Sequence, residues 1–177
     1  MKHIYLVMGM LLPLVFVNAQ NDTTGKKNEV KLNLLFPLSG TFEATYERIL
    51  NKKSSLGISF HAVYDSKKGD EDLNYSISPY YRRYFGKKYA SGFFLEGFTM
   101  LNSTDGKQIR DRNGILTSNE EPDVIDMSLG IGLGNKWVTK KGFIYEVNVG
   151  YGKLLFNADK TDHDIVARFG FHFGYRF

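Results

Sequence analysis

The chain has 177 residues, of which 42% are hydrophobic and 24% charged, with 18 Gly, 14 Phe, 11 Tyr, no Cys and a formal net charge of +4. A mean hydropathy of −0.29 excludes a helical membrane bundle, and the aromatic content excludes a disordered chain. Without cysteine there is no disulfide framework, thiolate metal site, thiol nucleophile or lipid-modified N-terminal Cys, and a small, scattered positive charge does not point to nucleic acid.

Residues 1–19 read as a signal peptide. Met1-Lys2-His3 is a short basic start, Ile4 to Val17 is apolar, and Val17-Asn18-Ala19 offers a cleavage site before Gln20. A membrane anchor fits less well, because the apolar run is shorter than the roughly 20 residues of a span and Pro13 interrupts it. Residues 20–29 are polar and aperiodic, as expected of a flexible leader.

From Val30 onward the period is two, which sends successive side chains to opposite faces of a strand. Leu32, Leu34, Phe36 and Leu38 make one apolar face, and Phe42, Ala44 and Tyr46 the next. Leu56, Ile58, Phe60, Ala62 and Tyr64 form a third; Leu73, Tyr75, Ile77, Pro79 and Tyr81 a fourth. Phe93 and Leu95 open a less regular fifth, since Phe94, Phe98 and Met100 fall on its other face. Ile125 to Leu133, Phe143 to Tyr151 and Ile165 to Phe177 complete eight strands. Pro79, which lacks a ladder donor, predicts a bulge or a missing bond.

Three connections are short and lysine-marked: Asn51–Ser54, Gly86–Ser91 and Thr139–Gly142. Asp65–Asp72, Asn102–Asp123 and Gly152–His163 are longer polar loops, and Ser39-Gly40 is a tight link at their end. Short turns at one end and long loops at the other, with both chain termini beside the short turns, predict an all-β, eight-stranded antiparallel up-and-down barrel. The lysine pairs are expected to be solvated turn tips.

Alternation alone leaves the direction of the apolar face open. The polar face is rich in small residues, such as Gly57, Ser59, Ser78, Ser128, Gly130, Gly132 and Gly150, which suit a cramped lumen. The opposite face is Leu, Ile, Val, Phe and Tyr, as lipid requires. Tyr46, Tyr81, Phe85, Phe93, Trp137 and Phe143 lie near the short turns, where an aromatic girdle is expected. The reading is therefore a transmembrane barrel, apolar side outward; the alternative is a secreted or periplasmic lipocalin-like ligand-binding barrel of inverted polarity.

With its signal peptide, eight alternating strands, short turns and terminal Phe177, the chain resembles the small outer-membrane β-barrel proteins of Gram-negative bacteria. Tyr46-Glu47-Arg48-Ile49-Leu50, Tyr81-Arg82-Arg83-Tyr84-Phe85 and Gly92-Phe93-Phe94-Leu95-Glu96-Gly97 are similar to segments of the uncharacterised Bacteroidota outer-membrane barrel families. The resemblance covers residues 30–177 and brings no catalytic motif. It implies outer-membrane lipid as surroundings, and the barrel-assembly machinery as a partner through the strand ending at Phe177. An extracellular partner would be met by the loop Asn102–Asp123.

An interior polar network of structural role is expected from Glu43, Glu47, His61, Arg82, Glu96, Asp126, Glu146, Arg168, His172 and Arg176, with Lys31 and Lys136 on the same face. Desolvation would make isolated charges there too costly, so they should pair. Hairpin counting sets Arg82 opposite Glu96, Glu43 near His61 and Glu146 near Arg168. No cofactor or metal is expected: Asp159, Asp162, His163 and Asp164 match no known cation loop, and Glu120, Glu121 and Asp123 are treated alike. No serine is spaced from a histidine as nucleophilic catalysis needs. The expectation is a non-enzymatic protein, with a lipid A-modifying barrel enzyme as the remaining alternative.

Overall fold

A computed structural model describes residues 25–65, 73–104, 108–110, 116–120, 122–158, 160–161 and 164–177. The signal-peptide segment, residues 1–19, lies outside them. The alternating stretches form β1 (Asn28–Asn33), β2 (Thr41–Asn51), β3 (Ser54–Val63), β4 (Leu73–Tyr84) and β5 (Gly92–Thr104). A short hairpin of β6 (Gln108–Arg110) and β7 (Leu116–Glu120) follows, then β8 (Val124–Val138), β9 (Phe143–Leu154) and β10 (Ile165–Arg176). The hairpin stands apart from the wall. The other eight strands close into a barrel in the order β1-β10-β9-β8-β5-β4-β3-β2, every pairing antiparallel. Closure leaves no unpaired edge, the condition for a sheet to stand in hydrocarbon. The seam is finished where Asn28 and Phe177 exchange backbone hydrogen bonds of 3.0 and 2.8 Å.

Two boundaries differ from the sequence reading. β1 begins at Asn28, inside the stretch read as leader, because Glu29 continues the inward series with Lys31 and Asn33. It also stops at Asn33: Phe36–Ser39 is a 3-10 turn rather than a strand face, with Pro37 in its first turn, where a missing N–H costs nothing. Pro79 produces missing bonds without a bulge. On either side of it Ile77 pairs with Leu101 and Tyr80 with Phe98 in unchanged register, and the Ser78 hydroxyl donates to the Thr99 carbonyl at 2.8 Å.

Burial alternates along every barrel strand, and its sense is apolar outward. Ile131 is 75% exposed, Leu129 and Val149 56%, and the side chains of Leu95, Leu101, Phe169 and Tyr145 are likewise open on the outer wall. The six aromatics assigned to the girdle are all exposed at the short-turn end. An inverted barrel would gather these groups in its centre, and here the centre is polar.

β5 is regular after all. Phe94, Phe98 and Met100 point into the lumen and are buried there. Glycines on the facing strand make room: a Cβ on Gly130 would strike the Phe98 ring and the Tyr151 carbonyl, and one on Gly134 the Phe94 ring and the Val147 carbonyl. Interior volume is thus filled by large residues on one strand opposite vacancies on the next.

Candidate functional site

The short-turn half of the lumen is an ion cluster. Glu47, on β2, is fully buried and accepts from five donors. Lys31 Nζ reaches Glu47 Oε2 at 2.7 Å and Glu146 Oε2 at 2.8 Å. Lys136 Nζ bridges Glu29 Oε2 and Glu47 Oε1, both at 2.7 Å, and also donates to the Tyr84 hydroxyl. That hydroxyl donates to Glu47 Oε1 at 2.6 Å, and Tyr80 donates to Glu47 Oε2 at 3.0 Å.

Arg82 ties the cluster to the opposite wall. Its Nε donates to Glu96 Oε2 at 2.5 Å, and its Nη1 to Glu146 Oε1 at 2.8 Å and Glu47 Oε2 at 3.0 Å. Its guanidinium carbon lies 4.4 Å from the Tyr80 ring centre and 4.2 Å from that of Phe94, so its faces are covered as well as its edge. Arg168 donates to Glu96 Oε1 at 2.7 Å and to the Ser59 hydroxyl at 3.1 Å. Arg176 closes the bottom: it donates to Glu29 Oε1 at 2.7 Å and to the carbonyls of Tyr89 and Ala90 at 3.0 and 2.8 Å. The strand wall thereby holds the β4–β5 turn across the lumen mouth.

Five glutamates (Glu29, Glu43, Glu47, Glu96, Glu146) share the lumen with five cations (Lys31, Arg82, Lys136, Arg168, Arg176), all buried. Burial of one such charge alone would cost several kcal/mol; mutual pairing with filled hydrogen-bonding capacity offsets this.

Toward the long-loop end the groups are sparser. Glu43 accepts from Asn33 Nδ2 at 2.8 Å and lies 3.6 Å from His172 Nε2. His61 is buried, with its ring edge-on to Phe36 at 5.2 Å. Asn102 Nδ2, Asn148 Oδ1 and His172 Nδ1 are buried without a hydrogen-bond partner. A cavity of about 30 Å³, lined in part by Glu43, Ser59, His61, Ser76 and Asn148, lies among them. That is space for a water or two, and too little for a small-molecule ligand.

Arg82 and Glu96 pair in register and by side chain, as hairpin counting expects. Glu43 and His61 are register partners, although the carboxylate turns to Asn33 and His172. Glu146 and Arg168 do not meet: Glu146 stands opposite His172 and Arg168 opposite Gly150. Asp126 points inward but, among the described residues, joins no cation. Its Oδ1 accepts from the Met127 and Phe156 amides and its Oδ2 from the Asn157 amide, so it fastens the chain leaving β9.

Glu29, Tyr80 and Tyr84 belong to the cluster and were missed. Glu29 was hidden in a polar leader, yet it is the next member of the Lys31, Asn33 series; the tyrosines flank Arg82 at the same two-residue spacing. Of the loop residues weighed for a cation, Asp159, Asp162, His163 and Glu121 lie outside the described residues. Asp164 is 3.4 Å from Lys153, and Asp123 accepts from Asn74 at 3.2 Å.

The family described as "Protein of unknown function (DUF3575)" matches residues 7–168. The chain belongs to this family. No curated protein matches it. The N-terminal β-barrel domain of Pseudomonas aeruginosa OprF superposes with a TM-score of 0.59 at 12% identity, covering 86% of this chain and 98% of that one. The Yersinia pestis outer membrane protein Ail, in a phospholipid bilayer nanodisc, gives 0.42 at 19% identity, with 86% and 99% covered. At these identities the likeness concerns the fold: a closed, eight-stranded, antiparallel up-and-down barrel.

Proposed function

We propose that this chain is an integral outer-membrane barrel of non-enzymatic role, exported by a cleaved signal peptide at residues 1–19 and spanning the membrane with the barrel of residues 28–177. The observation that carries the reading is polarity. An outer wall dominated by Leu, Ile, Val, Phe and Tyr surrounds a lumen whose charges are neutralised by one another. In water such a wall would exceed by far the apolar patches of soluble monomers, and in lipid it is the required surface.

The lumen network of Glu43, Glu47, His61, Arg82, Glu96, Glu146, Arg168, His172 and Arg176 acts as a plug rather than a pore or a reaction centre. Its charged groups are engaged in internal pairs, and the residual cavity is the size of a water or two. The loop between β5 and β8, with its hairpin β6–β7, is the surface-interaction element on the outer side, and the strand ending at Phe177 is the part met by the assembly machinery.

A heat-modifiability gel tests this reading. The unboiled mature protein should migrate differently from the boiled one and should fractionate with outer membranes, and recovery from soluble periplasm without detergent would overturn it. Unchanged lipid A mass on deletion and overexpression is expected; a changed acyl pattern would favour the lipid-modifying alternative.

A further inference from the structure

Charge is distributed over the barrel by level. The lumen holds five glutamates and Asp126 against five bases. At the short-turn end, each turn carries an exposed or half-exposed lysine pair: Lys52–Lys53 between β2 and β3, Lys87–Lys88 between β4 and β5, and Lys140–Lys141 between β8 and β9. Lys26, Lys27, Arg48 and Arg83 stand at the same end. The carboxylates nearest to it, Glu29, Glu47, Glu96 and Glu146, are all buried in the lumen. Among the described residues, none of these ten cations pairs with a carboxylate. The partners they do have are neutral: Arg48 donates to Asn28 Oδ1, Lys53 to the Gly86 carbonyl, and Lys26 lies over the Tyr175 ring. By sequence the opposite end is acidic, since the connections 64–72, 105–123 and 155–164 carry twelve Asp and Glu against six Lys and Arg.

We propose that the basic rim at the short-turn end is a docking surface for the headgroups of anionic phospholipids in the surrounding leaflet. The inference rests on the barrel spanning a bilayer. Two independent features favour a lipid headgroup. The cations encircle the wall instead of clustering on one side, so that they meet a leaflet from every direction. They also sit directly beyond the exposed aromatics Tyr46, Tyr81, Phe93, Trp137 and Phe143, which mark the level where hydrocarbon gives way to headgroups. Lysines on flexible stems at that depth reach phosphates, and uncompensated cations beside a membrane surface gather anionic lipid.

Trp137 is the chain's single tryptophan and is half exposed in this belt, so its emission reads the lipid at the rim. The mature protein is folded into vesicles of phosphatidylcholine mixed with phosphatidylglycerol, with one or the other lipid brominated in its acyl chains. Quenching should show phosphatidylglycerol enriched around Trp137 by about twofold or more at low salt. Enrichment should fall toward one in 1 M NaCl, and in the variant K52Q/K53Q/K87Q/K88Q/K140Q/K141Q. A low-salt ratio of one overturns the proposal, as does an enrichment that neither salt nor the variant alters. Salt-sensitive sedimentation with isolated peptidoglycan, together with a lipid ratio of one, would move the surface to an anionic polymer and overturn it equally. Failure to fold in vesicles of any composition would instead overturn the barrel reading itself, and folding in pure phosphatidylcholine is scored separately on an unboiled gel.

Discussion

The two halves of the lumen share one alternation pattern and differ in how fully they are satisfied. At the short-turn half, Glu29, Lys31, Glu47, Arg82, Lys136 and Glu146 fill one another's hydrogen-bonding capacity, and the rings of Tyr80, Tyr84 and Phe94 close the gaps. At the long-loop half, Asn102, Asn148 and His172 each keep an unpartnered polar atom, and Asn148 lines a cavity of about 30 Å³. The contrast teaches that an inward polar face is not one device. A complete network fixes strand positions across the barrel, whereas an incomplete one leaves room for solvent and should tolerate change.

The largest way to break this comparison is Arg82→Ala. It strips Glu47, Glu96 and Glu146 of a shared cation and leaves buried charge unmatched, so it should destabilise the folded barrel by about 3–5 kcal/mol in urea unfolding from vesicles. Unchanged stability would mean that the cluster is not what holds the walls together. Next comes Gly130→Val. Its side chain would occupy the place of the Phe98 ring, with an expected cost of about 1–3 kcal/mol by the same measurement and a lower melting point of the unboiled form. Asn148→Ala, in the looser half, should shift stability by no more than about 0.5 kcal/mol, because its side-chain oxygen has no partner to lose. A loss as large as that of Arg82→Ala would erase the distinction between the halves. The smallest expected effect is that of salt. Raising NaCl from 0.1 to 1 M should leave the cost of Arg82→Ala within measurement error, since buried pairs are little screened.

Much of the wall was legible in the sequence because a strand reports its faces at period two, and a closed barrel gives every strand the same inside and outside. Leu56 to Tyr64, Ile125 to Leu133 and Phe143 to Tyr151 illustrate this, as does the emergence of short lysine turns at one end. Boundaries set by turn chemistry were less legible: Pro37 converts an apparently continuing face into a 3-10 turn, and Glu29 looks like leader until its partners Lys136 and Arg176 are known. The hairpin β6–β7 lay in a mixed polar stretch with too little alternation to mark it.

The candidate site was legible only as membership. Counting along a hairpin finds ladder neighbours, which is why it reaches Arg82 and Glu96. Most contacts of the cluster instead cross the lumen between strands that are not neighbours, as in Lys31 with Glu146, Arg82 with Glu47 and Lys136 with Glu47. Such pairs depend on barrel closure and side-chain reach, neither of which local spacing encodes. Asp126 shows the converse: it lies on the inward face, but a neighbouring loop supplies its donors before any cation can.

The central claim is that hydrocarbon contacts the apolar stripe and never the polar one. Because the chain has no cysteine, single spin labels can be placed along β9 through Val147→Cys, Asn148→Cys, Val149→Cys and Tyr151→Cys, and oxygen accessibility measured in lipid vesicles. The account predicts high accessibility at 147, 149 and 151 and low accessibility at 148; maximal accessibility at 148, or no alternation at all, would contradict it.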